Sequence, residues 1–189
     1  MDFRDFDILT LPGWHGSGAD HWQTSWEDAL PNVSRVEQAD WDAPVYDDWF
    51  RALDARIAAA SRPVLLVGHS LGTALATRWA AQTGGKGVAG TLLVAVSDRD
   101  RWEPDAGEPQ GFAPMVTTPL PFPSIVVAST DDPRVSFDRA QTFAADWGSR
   151  FIDAGALGHI GSAAGLGLWP AGLIWLGELA AAARMKTDD

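Results

Sequence analysis

Pro63-Val-Leu-Leu-Val-Gly-His-Ser-Leu-Gly-Thr-Ala-Leu-Ala-Thr-Arg-Trp-Ala-Ala-Gln82 changes character in its middle. Pro63–Val67 is a short apolar run that suits a strand buried on both faces. Ser70–Gln82 is alanine-rich and reads as a helix. Between them stands Gly68-His69-Ser70-Leu71-Gly72, an instance of G-x-S-x-G. A serine on a sharp strand-to-helix turn has its hydroxyl lifted out of the sheet edge, and small flanking residues let the chain bend without clashes. The turn also places the amide of Leu71 at a helix N-terminus, where it can donate to an oxyanion. Five residues alone match by chance often; their seat between strand and helix gives the match its weight. The plainer alternative is a tight turn whose serine caps the helix.

Working outward, short apolar runs alternate with longer helical patterns. Asp7–Leu11, Ser34–Glu37, Val88–Val96, Ser124–Ala128 and Arg150–Asp153 read as further strands. Asp20–Leu30, Tyr46–Ala60, Ser136–Trp147 and Pro170–Met185 read as helices, with Asp20 placed to cap the first and Pro170 suited to the first turn of the last. The strands are apolar throughout rather than alternating. Strand and helix alternate along the chain, which predicts one α/β domain over residues 1–189: about six parallel strands with helices on both faces. The long irregular stretch Ser97–Pro123 is too short for a domain and fits a loop over a site.

Composition narrows the function. Of 189 residues, 46% are apolar and 21% charged, which is a globular balance. Lys plus Arg is 14 against 25 Asp plus Glu, a net charge of −11. Nucleic acid is therefore not an expected partner, and neither is an anionic membrane surface. The absence of cysteine excludes disulfides, thiolate catalysis and thiolate metal sites. The N-terminus lacks a secretory pattern and no apolar stretch reaches spanning length, so a cytoplasmic protein is expected. No metal or cofactor is expected.

A serine hydroxyl needs a base to take its proton. There are four histidines: His15, His21, His69 and His159. His69 belongs to the turn itself and is expected to point away from the serine and fill space. His159 follows the last strand, where this architecture supplies its base. An acid should lie between serine and histidine in the chain, after the penultimate strand. Asp131 and Asp132 both stand there, and spacing does not choose between them. The order Ser, Asp, His is the one this arrangement uses. A second oxyanion donor is expected from the glycine-rich loop after the first strand, Leu11-Pro-Gly-Trp-His-Gly-Ser-Gly18: the amide of Trp14, or alternatively that of His15. The loop is not G-x-G-x-x-G, and no acid ends the second strand, so a dinucleotide site is set aside.

Ten tryptophans are many for this length. Trp79, Trp147 and Trp175 fall in helical patterns and fit the core. Trp14 and Trp41 each follow a predicted strand, and Trp102 lies in the long loop. A substrate pocket is expected from His15, Trp41 and Trp102 with Trp14 beside it; ordinary packing explains any one of these equally well.

Taken together, these marks resemble the small serine hydrolases of α/β-hydrolase fold typified by the retinoblastoma-binding serine hydrolase and its YdeN-like relatives. The marks are the Leu11-Pro-Gly-Trp-His loop, Trp22-Gln23 with Trp26-Glu27, Gln38-Ala-Asp-Trp41 before Pro44, the Gly68–Gly72 turn, Ala128–Pro133, Gly158-His-Ile and Leu168–Gly172. The resemblance spans nearly the whole chain. It implies a compact hydrolase without a cap domain and a triad of Ser70, Asp132 and His159. Ester hydrolysis of a small molecule is the activity expected. An amidase or aminopeptidase, or a protein-binding member with little turnover, are the alternatives.

Overall fold

Consecutive residues of Val64–Val67 face opposite ways. Val64 and Leu66 join one apolar cluster, Leu65 and Val67 another, and all four are fully buried. Burying a leucine or valine side chain is worth about 1.5–3 kcal/mol. A strand apolar on both sides gains that twice over only where both sides are covered. The computed structural model, which describes residues 3–101 and 108–187, covers both.

Six strands, β1 (Asp7–Leu11), β2 (Val33–Arg35), β3 (Val64–His69), β4 (Val88–Val94), β5 (Ser124–Ala128) and β6 (Arg150–Asp153), form one sheet in the order β2-β1-β3-β4-β5-β6. Every pairing is parallel. Helices α2 (Tyr46–Ala58), α3 (Leu71–Thr83) and α4 (Phe137–Trp147) cover one face, packing Trp49, Leu75, Trp79 and Phe143 against Leu9, Leu66, Leu93 and Val126. Helices α1 (Trp22–Ala29) and α5 (Pro170–Thr187) cover the other, packing Trp22, Trp26, Leu176 and Leu179 against Ile8, Leu65, Leu92 and Val127. Among the described residues no helix is long and apolar enough to cross a membrane.

The sheet grows outward in two directions from the β1/β3 pair, where Leu11 stands opposite Gly68. Such a reversal opens a crevice beyond the carboxyl ends of the strands. The loop after β1 and the turn after β3 both empty into it.

Three local expectations shift. The second strand is Val33–Arg35 rather than Ser34–Glu37; Val36 still donates its N–H to the Thr10 carbonyl as the chain leaves the sheet. The fourth strand ends at Val94, because Ala95 turns left-handed at φ 50°. Helix α1 is capped by His21, whose Nδ1 accepts the Gln23 N–H, and not by Asp20. Between β4 and β5 the described residues hold a single 3-10 turn, Arg99–Arg101, and no α-helix.

Candidate active site

Ser70 joins β3 to α3 with φ 52° and ψ −119°. Left-handed backbone at a residue with a side chain costs on the order of 1–3 kcal/mol and persists only where the surroundings impose it. The surroundings here are close. A Cβ on Gly72 would fall 2.0 Å from the Leu11 carbonyl oxygen, and one on Gly13 would fall 2.8 Å from Ser70 Cβ. Helix α3 and the β1 loop can approach the serine this closely only because both positions are glycine. The Ser70 amide donates to the Val94 carbonyl at 3.1 Å, and its own carbonyl accepts from the amide and hydroxyl of Thr73.

Above this turn three side chains form one line of hydrogen bonds. Ser70 Oγ lies 2.8 Å from His159 Nε2. His159 Nδ1 lies 2.9 Å from both carboxylate oxygens of Asp132. A carboxylate accepts, so the ring proton sits on Nδ1 and leaves the Nε2 lone pair facing the serine hydroxyl. The Asp132 side chain is 1% exposed and that of His159 24%. The acid is shielded while the imidazole edge meets the cleft.

Asp131 has different work. Its Oδ1 accepts from the Ser129 hydroxyl and from the Gly158 amide, both at 2.7 Å. These two bonds, the hydroxyl first, hold its carboxyl below the usual range. The Ser129 hydroxyl also accepts the Leu157 amide at 2.8 Å. So one aspartate of the pair grips the backbone before His159 and the other grips its ring.

Two further donors hold the backbone after the ring. His69 Nε2 lies 2.9 Å from the His159 carbonyl, and Trp22 Nε1 donates to the Ile160 carbonyl at 2.8 Å. Ile160 is itself left-handed at φ 47°. His69 thus does more than fill space. Its ring meets those of His21 and His159 at 4.7 and 5.2 Å between centroids. Burial drives the His69 imidazole well below its ordinary range, and burial, with Arg35 and His159 adding to it, lowers His21 to about 4. Both rings are therefore neutral at neutral pH.

The two expected oxyanion amides flank the serine. Leu71 opens α3, where the first amides have no acceptor within the helix. In the β1 loop the His15 amide donates to the Trp41 carbonyl and the Gly16 amide to the Gly13 carbonyl. The Trp14 amide has no hydrogen-bond partner among the described residues. That disfavours His15 as the alternative donor.

Ser70 and His159 open on a cleft of about 280 Å³ whose lining includes Trp14, His15, Ser97, Arg99 and Arg134. His15 stands at its rim, stacked on Trp14 and bonded through Nδ1 to Asp42 at 2.8 Å. Trp41 does not reach the cleft. Its ring backs the β1 loop at Gly16 and packs edge-on to Trp49, because the loop itself comes between. Trp102 lies outside the described residues. Ser97, Arg99 and Arg134 were not anticipated. They sit on irregular segments where no period or motif marks them.

Five of the ten tryptophans brace loops, and of these Trp14 also lines the cleft. Indole N–H groups of Trp14, Trp22, Trp26, Trp49 and Trp147 each donate to a loop carbonyl: those of Asp42, Ile160, Leu168, Asp40 and Val116.

Residues 8–178 match the family described as serine hydrolase. A YdeN-like hydrolase from Pectobacterium atrosepticum SCRI1043 is 34% identical, with 95% of this chain and 93% of that one covered at a TM-score of 0.85. The ydeN gene product of B. subtilis, at 16% identity, shares the fold over 92% of this chain and 98% of its own, TM-score 0.69. So does BorB, a type II thioesterase from the borrelidin biosynthetic cluster, at 18% identity, 97% and 93% coverage and TM-score 0.63. No curated protein matches the sequence. The matched span holds every residue of the hydrogen-bonded line, and the chain belongs to the serine hydrolase family, with an α/β-hydrolase fold.

Proposed function

We propose that the chain hydrolyses small carboxylic esters through an acyl-enzyme on Ser70. The observation that carries this reading is the unbroken line from Asp132 through His159 to Ser70 Oγ, ending on a residue held in left-handed strain. His159 Nε2 takes the hydroxyl proton as Oγ attacks the ester carbonyl. Asp132 fixes the tautomer and stabilises the imidazolium that forms. The amides of Leu71 and Trp14 receive the oxyanion. His159 then protonates the departing alcohol, and water, deprotonated by the same nitrogen, releases the acid. Each proton passes through the one imidazole, which returns the last to Ser70 Oγ as the acyl-enzyme bond breaks. The reading treats residues 1–189 as one catalytic domain and keeps the cytoplasmic setting expected from sequence.

A fluorophosphonate probe tests it. Wild type should label and Ser70→Ala should not; hydrolysis of a chromogenic ester should fall with Ser70→Ala by about three orders of magnitude or more. Equal labelling of the two proteins, or none of either, would sink the reading. A matched amide run beside the ester separates an esterase from an amidase. Activity should decline toward acid as the base protonates; a flat profile from about pH 5 to 8 would count against an imidazole base.

A further inference from the structure

Among the described residues two cationic side chains line the cleft beside Ser70, in a chain whose net charge is strongly negative. Arg99 and Arg134 both line it. Arg99 is buried, its side chain 8% exposed, although a guanidinium stays charged at any ordinary pH. Its ion-pair partner Glu108 is 4.0 Å away, the outer limit of such contact. The one carboxylate among the described lining residues is that of Asp98, and it is already engaged. Arg139 Nε reaches Asp98 Oδ2 at 3.0 Å and Arg101 Nε at 3.5 Å. Arg134 is anchored beside the triad, since its amide donates to Asp132 Oδ1 at 2.8 Å.

Desolvation opposes the charge on Arg99, Glu108 restores part of it, and the like charge of Arg134 opposes it again. A carboxylate placed in the cleft would lie among lining residues that include both arginines. A guanidinium has five N–H donors in a planar fork, so it can hold protein acceptors and a ligand oxygen at once. The long-range repulsion from the rest of the molecule is screened within about 8 Å at physiological salt. Within the cleft the near charges decide.

We propose that Arg99 and Arg134 form an anion subsite, and that the preferred substrate is a short carboxylic ester bearing a carboxylate away from its scissile carbonyl. This rests on the ester-hydrolase reading of the same site and adds the substrate class to it. The carboxylate orients the ester; Ser70 and His159 act on the carbonyl.

Two matched pairs of esters test it, one for each side of the scissile bond. The acyl-side pair is the para-nitrophenyl monoester of adipate against para-nitrophenyl hexanoate. The leaving-group pair is para-acetoxybenzoate against phenyl acetate. Wild type should favour the anionic member of at least one pair in kcat/KM. Arg134→Gln should cut that preference by roughly tenfold to a hundredfold, the worth of a hydrogen bond to a charged group. Arg134→Glu should cut it further, and Arg134→Lys should keep part of it. Because Arg134 is exposed, these variants should fold, which circular dichroism checks. No anionic preference in either pair, or a preference that Arg134→Gln leaves within about twofold of wild type, would overturn the subsite while ester turnover persists. Absence of turnover on all four esters, with no fluorophosphonate label, would instead overturn the hydrolase reading and the subsite with it.

Discussion

Two sets of residues line the cleft, and they differ in how they are held. One set is tightly braced. His69 meets His21 edge to face and His159 at a tilt, and backbone on both sides of His159 is gripped by side chains. The other set is charged and rests on irregular chain: Ser97, Asp98, Arg99 and Arg134. Proton transfer between Ser70 and His159 needs distances fixed to within a fraction of an ångström, which the braced set supplies. Selecting a ligand by charge tolerates looser geometry, because Coulomb attraction falls slowly with distance. The contrast teaches that the proposed chemistry and the proposed choice of substrate would be carried by different parts of the chain.

The largest expected effect breaks the braced set at its acid. Asp132→Asn keeps the shape but offers an amide to His159 Nδ1, which favours the wrong tautomer. A fall in kcat on the order of ten-thousandfold is expected, with the fold kept. A loss of tenfold or less would mean that Asp132 does not hold the ring. Asp131→Asn should act only through the loop, and so cost far less.

That pair shows where sequence reading stopped. Asp131 and Asp132 follow the same strand and carry the same side chain, so spacing could not separate them. The resemblance to known hydrolases implied Asp132, and burial separates the two physically. One carboxylate is shielded beneath the imidazole while the other is exposed and takes amides. Ser70 and His159 were legible because the turn lies where apolar strand gives way to helix, and the histidine follows the last strand. Trp14 and Trp41 gave one signal, an aromatic residue beyond a strand, yet only Trp14 reaches the cleft. Which loop overlies which is settled by hydrogen bonds such as His15 N–H to the Trp41 carbonyl, and periodicity does not encode these. The arginines had no signal at all.

A smaller effect lies in the pH dependence of stability. His21 has its pKa lowered from 6.5 to about 4 by burial, and His69 shifts in the same direction. Above about pH 6.5 both rings are neutral whether the chain is folded or not, and they contribute nothing. As pH falls below that, the unfolded chain takes up protons that the folded chain refuses. Stability is therefore lost from about pH 6.5 downward, and His21 levels off near its folded value. Its share is at most about 3 kcal/mol. Urea unfolding at pH 7 and pH 5 should show it, and His21→Asn should flatten the difference. An unchanged midpoint between the two pH values would contradict a neutral, buried pair.

The smallest effect sharpens the role of the bracing indoles. Trp22→Phe removes the donor to the Ile160 carbonyl and leaves a void where the larger ring packs against Trp26 and Trp169. A stability loss of about 1–3 kcal/mol is expected from the lost hydrogen bond and the void together, with kcat reduced several-fold while KM changes less. Equal changes in kcat and KM would point to a general loosening of the cleft. The charged set should not respond: the ratio of anionic to neutral ester turnover should match wild type.

The bare positions at Gly13 and Gly72 also govern how such a protein can diversify. A methyl group at position 72 would enter the Leu11 carbonyl, and one at position 13 would strike the nucleophile's own Cβ. Neither obstacle is a flexible tip that could swing aside. Mutational drift is therefore closed on the part of the cleft that adjoins the β1 loop, whatever ester selection favours. Novel substrate range has to be written elsewhere, in the irregular chain between β4 and β5 and in the turn after β5. A combinatorial library confined to those two segments should retain activity far more often than one directed at residues 11–16.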